Sequence, residues 1–381
     1  MTAFPPSRSA ALDRLAAFAP LAGRSYAARR NHDLPGHADV SRLSPYIRHR
    51  ALTEVEVLRA VLAIHSPAEA EKFISEVFWR TYWKGWLEHR PSVWASYLSD
   101  RTAAWNRVQT EAGLRQDWEA ACDGRTGIDA FDHWARELVQ TGYLHNHARM
   151  WFASIWVFTL RLPWALGADF FLRHLFDGDP ASNTLSWRWV AGLQTRGKTY
   201  LARRSNISRY TDGRFSPAGL ATEAPALDGP PAPAPGPLPV SAPVLATGRI
   251  GLLVTEEDLS PGWIGIAPAA TASVQVTEAR THLKVASQVT DFVSELMNDA
   301  APDATPLTPA GIAAWAERES LDTIVTSYVP VGPTRDALAP HFAAARVQEV
   351  LRPYDTAAWP HATKGFFRFK DAIPDLLDRL R

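Results

Sequence analysis

The 381-residue sequence contains a single cysteine, Cys122, and no long run of apolar residues. One cysteine excludes an intrachain disulfide and any iron–sulfur or zinc site that needs four cysteines. The longest mainly apolar run, residues 150–160, is too short to cross a bilayer and is followed by Arg161. The chain also opens without a charged, apolar leader, so we expect a cytoplasmic protein without a membrane anchor.

Net charge is absent as well, because 40 Lys and Arg balance 40 Asp and Glu. The balance hides an asymmetry: residues 1–215 carry 28 basic and 21 acidic side chains, whereas residues 216–381 carry 12 and 19. Twelve of the fifteen tryptophans also lie in the first part. A basic, aromatic-rich half fits a nucleic-acid partner, since phosphate contacts supply most non-specific affinity. A solvated basic face on an ordinary domain explains the charge equally well.

The length and the residue patterns predict two domains joined by a linker. Residues 1–215 are mainly helical in pattern, and residues 216–248 are rich in proline and alanine, which predicts a semi-extended linker. In residues 249–381 strands alternate with helices, with strands expected over 249–255, 273–277, 322–329 and 347–355 and helices over 287–300, 308–320 and 334–345. The predicted fold class is therefore an all-helical domain followed by a small α/β domain with a parallel sheet.

Polar residues recur at helical spacing within the apolar, tryptophan-rich residues 141–189. Asn146, Arg149 and Met150 are spaced i, i+3 and i+4, so they share one helix face. Buried polar groups are costly unless they meet a partner. The pattern therefore indicates a large bound ligand.

A second helix start follows at residues 177–187. Asp179 before Pro180 is typical of an N-cap with proline in the first helical position, and Asp177 lies just outside it. Asn183 and Trp187 then lie one turn apart on the new helix.

Earlier in the chain, Ser41 and Ser44 flank Arg42 and Leu43 at a loop-to-helix junction. Hydroxyls and unpaired backbone N–H groups at such a junction can hold phosphate oxygens, although a simple N-cap is the alternative.

The helical run that follows contains Glu76, Trp79 and Arg80 on one face. An aromatic stripe at this spacing is usually part of a core.

These motifs, SRLSPY, EVFWR, HNHARM and DGDPASN, resemble in order those of the flavin-binding helical domain of the DNA photolyase and cryptochrome family, from Tyr26 to Trp189. The resemblance implies FAD as cofactor, UV-damaged DNA as partner and a lyase activity, the light-driven repair of cyclobutane pyrimidine dimers by an electron from excited reduced flavin. A cryptochrome-like blue-light photoreceptor without repair activity is the alternative. We expect a monomer.

The resemblance also assigns roles to individual residues. Residues implied to bind FAD are Tyr26, Ser41, Arg42, Leu43, Ser44, Arg80, Asn146, Arg149, Asp177, Asp179 and Asn183. Residues implied to act on the dimer or to return electrons to the flavin are Glu76, Trp79, Asn146, Met150, Trp187, Trp164 and Trp189. Of these, Glu76 would hydrogen-bond the dimer, Trp79 and Trp189 would stack on it, and Trp187 and Trp164 would pass electrons.

The sequence departs from the family pattern at three positions. Val40 replaces a threonine before the first serine of SRLSPY, and His147 replaces a frequent arginine. Thr110 stands where the outermost of three electron-transferring tryptophans is expected, and Trp105 and Trp118 are nearby candidates for that role.

Residues 249–381 resemble, more weakly, the α/β antenna domain that normally precedes the helical domain in photolyases. RIGLLVTEEDL is similar to its opening strand and ATKGFFRFKDAIP to its closing segment. The resemblance implies a circular permutation, with an unrelated α/β module as the alternative. Whether an antenna chromophore binds, and which one, is left open.

Overall fold

The structure, a computed structural model, describes residues 3–240 and 248–380. Within these residues eighteen α-helices form: α1 Arg8–Phe18, α2 Arg24–Arg29, α3 Ser44–Arg48, α4 Glu54–Leu62, α5 Glu71–Glu88, α6 Ser92–Thr110, α7 Ala112–Cys122, α8 Asp129–Thr141, α9 Asn146–Ser154, α10 Trp164–His174, α11 Pro180–Val190, α12 Arg204–Tyr210, α13 Ser287–Ala300, α14 Ile312–Arg318, α15 Pro333–Phe342, α16 Pro353–Ala358, α17 Phe366–Lys370 and α18 Ile373–Asp378. The strands are β1 Ile250–Thr255, β2 Ala270–Val274, β3 Thr305–Leu307, β4 Thr323–Ser327 and β5 Val347–Val350.

These elements divide into two compact units. The first unit contains Met1–Gly23, Ser41–His89 and Pro235–Arg381, and the second contains Arg24–Val40 and Arg90–Ala234. The division differs from the predicted segments 1–215, 216–248 and 249–381, because residues 41–89 group with the α/β part. The consecutive domains of the sequence analysis stay a prediction.

A five-stranded parallel sheet is the centre of the first unit, in the order β3-β2-β1-β4-β5. The central strand β1 places Gly251 opposite both Ala270 and Ile324. Gly251 is required there, because a Cβ atom would lie 2.5 Å from the Leu321 side chain and 2.8 Å from Trp315. The predicted parallel α/β sheet is therefore confirmed.

Two details of the predicted sheet are wrong. β2 begins three residues before the predicted segment 273–277, and the three-residue strand β3 has no alternating pattern long enough to detect. The strand expected over 347–355 ends at Val350, because Pro353 begins α16 and cannot continue a ladder.

In the first unit, α5 packs directly against the C-terminal elements. Gly85 on α5 faces Trp359, and a Cβ atom at Gly85 would lie 2.8 Å from its ring. Buried ion pairs join the same parts of the chain: Arg48 contacts Glu257 at 2.7 Å and Arg50 contacts Asp355 at 2.6 Å. Residues 41–89 and the α/β part thus share one core.

The second unit is a helical body whose core is aromatic. A π-helical turn, Ile155–Thr159, extends α9, and the ring of Trp134 stacks on Trp151 at 5.4 Å. Residues 217–240 contain neither helix nor strand, as predicted for the linker. Their backbone is nevertheless anchored, since Leu227 N–H donates to the Ala191 carbonyl at 3.0 Å.

Candidate functional site

The start of α11 has the predicted cap. The Asp179 carboxylate accepts from the backbone N–H of Ser182 at 2.7 Å, and Pro180 occupies the first turn. One turn later, the Asn183 amide nitrogen donates to the Ala168 carbonyl at 2.8 Å. This bond fixes the amide, so its oxygen is the atom that can accept a hydrogen bond from a ligand.

Arg149 and Asp177 form an ion pair, with an N–O distance of 2.9 Å. The Arg149 Nε–H donates to the Leu144 carbonyl at 3.0 Å, and the guanidinium lies 5.6 Å from the Tyr143 ring centre. Asp177 is buried, whereas the Arg149 side chain is 23% exposed. The pair therefore holds a fixed, partly desolvated charge arrangement near the start of α9.

The face of α9 predicted from spacing is formed. Asn146 is exposed and Met150 is half-buried. His147, which replaces the family's arginine, instead turns inward: its ring stacks on Trp151 at 4.0 Å and its Nδ1 lies 2.9 Å from the Asn31 carbonyl. Burial lowers the pKa of His147, so the ring is neutral at pH 7 and offers no charge to a phosphate.

Trp189 is half-buried at the end of α11. Its ring stacks on Tyr200 with centroids 5.7 Å apart and planes 29° apart. Sequence reasoning missed Tyr200, because it lies beyond Trp189, where the resemblance to the family ends. The stacking fixes the plane of the Trp189 ring.

Trp187 is enclosed by other aromatic rings. It packs edge to face on Phe171 at 5.1 Å and on Trp156 at 6.2 Å. Gly167 on α10 makes room for it, because a Cβ atom there would lie 2.3 Å from the indole. Trp164 lies one turn before Gly167 on the same face of α10.

The surroundings of Trp164 are charged as well as aromatic. The Tyr97 ring lies 5.7 Å away, and the Arg188 guanidinium lies 6.0 Å from the indole centroid. The Asp100 carboxyl accepts a hydrogen bond from the Trp164 indole. Burial raises the pKa of the Asp100 carboxyl, and Arg188 and the indole N–H offset part of this rise. Sequence reasoning missed Asp100, since its position on α6 carries no motif.

Thr110 is exposed at the end of α6. The two nearby tryptophans, Trp105 and Trp118, pair edge to face with centroids 5.3 Å apart, and both are half-buried. Their roles in electron transfer stay a prediction.

In the first unit, Glu76, Trp79 and Arg80 lie on α5 as predicted, and all three are half-buried. The Trp79 ring stacks on Phe366 of α17, with centroids 3.7 Å apart and planes 11° apart. Phe366 therefore covers one face of the Trp79 indole, and a base could contact only the part of the ring that Phe366 leaves open. Phe366 was missed because contacts between α5 and α17 have no local sequence signal.

The segment Ser41–Ser44 leads into α3, which begins at Ser44 without a side-chain cap. Arg42 adopts a positive φ of 53°, and its guanidinium donates to the Ala3 carbonyl and lies 5.1 Å from the Phe4 ring. Leu43 N–H donates to the Ser41 hydroxyl at 3.4 Å. The alternative of a simple serine N-cap is not found, and the phosphate-binding role stays a prediction.

The residues implied to bind FAD are distributed over both units. Those in the second unit are Tyr26, Asn146, Arg149, Asp177, Asp179 and Asn183, and those in the first are Ser41, Arg42, Leu43, Ser44 and Arg80. The residues of the second unit supply an oriented amide oxygen, carboxylates and a guanidinium. Such donors and acceptors fit the edge of an isoalloxazine ring, which both donates and accepts hydrogen bonds.

Residues 73–216 match the FAD binding domain of DNA photolyase. The deoxyribodipyrimidine photo-lyase of Streptomyces griseus is 36% identical over 169 residues, which are 43% of this chain and 34% of that protein. The photo-lyase of Vibrio cholerae is 29% identical over 198 residues, 49% of this chain and 40% of its own length.

A solved structure, the bacterial class III photolyase from Agrobacterium tumefaciens, is 27% identical with a TM-score of 0.45 and covers 54% of this chain and 43% of its own. The chain thus spans well under half the length of these relatives. Among the residues that the structure describes, no helix could cross a membrane. Residues 73–216 are thus similar to the FAD binding domain of DNA photolyase, and the relatives that match this part of the chain are deoxyribodipyrimidine photo-lyases.

Proposed function

We propose that this protein binds FAD and uses light to split cyclobutane pyrimidine dimers in DNA. The observation that carries the proposal is the polar arrangement of α9 and α11 inside the matched segment. There the Arg149–Asp177 ion pair and the oriented Asn183 amide stand in otherwise apolar surroundings. A fixed ion pair and an amide oxygen oriented by its own hydrogen bond suit the edge of a polar ligand.

Asn183, Asp179, Arg149 and Asp177 would hold the isoalloxazine ring, and Ser41–Ser44 with Arg80 and Tyr26 would hold the rest of the dinucleotide. When bound and reduced, flavin supplies a light-driven electron that no side chain can provide. The Asn183 oxygen would accept a hydrogen bond from a ring nitrogen that carries a proton, and it would repel the lone pair of a ring nitrogen that does not. This preference would favour protonated forms of the cofactor.

The family resemblance also implies which residues would contact an extruded pair of bases. Glu76 would hydrogen-bond the pyrimidine edge, and Asn146 and Met150 would contact it from α9. Base stacking on Trp189 and on the open part of Trp79 would contribute about 1–3 kcal/mol per base. Tyr200 and Phe366 keep these two rings in place, so little entropy is lost when a base stacks.

Trp187 and Trp164 would return electrons to oxidised cofactor. We further propose that residues 249–381 are a permuted antenna domain. The parallel sheet supports this assignment, as does the shared core with residues 41–89. The proposal makes no choice of antenna chromophore.

Illumination of the reduced, flavin-loaded protein with a dimer-containing oligonucleotide tests the function. We expect absorbance in the thymine band to recover in light and not in darkness. Bound, reduced flavin without recovery would favour the photoreceptor alternative. A colourless purified protein that takes up no FAD would contradict cofactor binding itself.

A further inference from the structure

Residues Lys364–Lys370, KGFFRFK, form a short segment of which the proposed function uses only Phe366. We call it the FFRF segment; α17 lies within it. Phe366 and Phe369 are buried, but Phe367 between them is 81% exposed. Among the described residues, Phe367 is the only aromatic side chain among the exposed large hydrophobic ones.

The segment is fixed to α5 at three points. Phe366 stacks on Trp79, the Tyr82 hydroxyl donates to the Lys364 carbonyl at 2.8 Å, and Lys370 forms an ion pair with Glu71. Because neighbouring Cα atoms are about 3.8 Å apart, Phe367 lies one residue from the ring that covers Trp79. The exposed phenyl group is therefore held near the indole that we propose contacts a damaged base.

Basic side chains flank Phe367. Lys364 and Arg368, three residues before and one residue after Phe367, are both exposed. Arg368 contacts Asp371 at 3.3 Å, but both side chains are more than two-thirds exposed, so this pair is weak and can be exchanged for another anion. A single exposed apolar residue means little by itself. An exposed aromatic ring between cations is what a nucleic-acid strand needs, a stacking surface with phosphate contacts on both sides.

We propose that Phe367, together with Lys364 and Arg368, binds the DNA strand beside the damaged bases by stacking on an unpaired base. The inference rests on the proposed function, since it needs DNA at Trp79. It extends the DNA-binding surface from the helical domain to the C-terminal segment.

The test compares Phe367→Ala with Val240→Ala, which removes another exposed apolar side chain, 94% exposed and outside the segment. The probe is a fluorescent single-stranded oligonucleotide that carries one thymine dimer, titrated at fixed salt. Loss of one base stack should weaken binding of Phe367→Ala about five- to a hundred-fold, while Val240→Ala binds as the wild type does. Flavin content should be equal in all three proteins.

A second variant, Arg368→Gln, tests the phosphate contact. It should weaken binding to damaged and undamaged strands alike and lower the salt slope by about one. If the wild type binds and Phe367→Ala binds equally well, this inference is wrong while the proposed function stands. If the wild type does not bind damaged DNA at all, that result contradicts the proposed function as well as this inference. Because Phe367 has few contacts to lose, a thermal melt should show both variants folded.

Discussion

Single side chains decide what the apolar interior of this protein can do. Trp187 is the clearest case, since it is 2% exposed, packs edge to face on aromatic rings and lies one turn from the oriented Asn183. An indole gives up an electron far more readily than a phenyl ring. Its position would therefore suit the donor that recharges a cofactor held by Asn183.

We expect Trp187→Phe to slow the photoreduction of oxidised flavin strongly, because the buried electron donor is removed. Trp156→Phe is the matched control, since Trp156 is equally buried and contacts Trp187, and it should react at close to the wild-type rate. Flash photolysis of the flavin absorbance measures both rates. Equal rates for Trp187→Phe and the wild type would show that electrons take another route.

Glu88 provides a pH-dependent test in the first unit. Burial raises the pKa of this carboxyl to about 7, although Val331 N–H and the Tyr328 hydroxyl donate to it. The folded protein thus keeps a proton that the unfolded chain loses near pH 4.5. Glu88 therefore stabilises the fold most below pH 4.5, and this contribution falls by about 3 kcal/mol as the pH rises through 7.

Glu88→Gln should remove that pH dependence. The amide oxygen can accept from Val331 and the amide nitrogen can donate to the Tyr328 oxygen, so both contacts survive. Urea unfolding at pH 5 and pH 8 should show a smaller stability difference for the variant than for the wild type. Identical pH profiles would contradict a neutral Glu88.

At the scale of helices and strands, the sequence predicted elements with strong local signals. The capped start of α11, the face of α9 and the stripe on α5 follow from spacing and cap chemistry, and all three are present. Elements without such signals were missed. β3 has three residues, and α16, α17 and α18 have five or six each, so tertiary contacts rather than local pattern decide them.

The same limit applies to the site. Residue types and helix faces could be read from motifs, but ring partners could not, because Phe366 is 287 positions from Trp79. The orientation of the His147 ring toward Trp151 could not be predicted from the motif either, because it depends on contacts with Asn31 and Tyr200. Both features depend on packing between residues that are far apart in the sequence, which residue spacing within a motif does not show.

The α11 cap makes a prediction at this scale. Asp179→Ala removes the acceptor for Ser182 N–H and should destabilise the protein by about 1 kcal/mol. Asp179→Asn keeps a capping oxygen and should lose much less. Chemical denaturation of both variants measures the difference, and equal losses would mean that the cap is not what Asp179 contributes.

At the scale of the whole chain, buried charges join distant segments of the first unit. Burial by itself would raise the pKa of Glu257, but Arg48 and Lys84 lower it to about 2. Thr334 also donates to the same carboxylate at 2.8 Å. Arg48 is 1% exposed and forms a buried ion pair with this carboxylate. The pair links residues 41–89 to the α/β part within the first unit.

Glu257→Gln should lower the free energy of unfolding by about 3–5 kcal/mol, because it leaves a buried guanidinium without its counter-charge. Glu319→Gln, at a pair with Arg318 in which the side chains are 31% and 57% exposed, is the control and should change stability by less than about 0.5 kcal/mol. Thermal melts at pH 7 compare the two. A Glu257→Gln variant as stable as the control would show that the two parts do not depend on this charge.

The most direct test of the proposed repair activity is the light-dependent conversion of a thymine-dimer oligonucleotide by wild type and Glu76→Ala at equal content of reduced flavin. We predict that the wild type restores the intact strand only in light and that Glu76→Ala does so more slowly while it keeps its flavin. A flavin-loaded wild type that leaves the dimer intact under illumination would contradict the assignment of this chain as a DNA-repair enzyme.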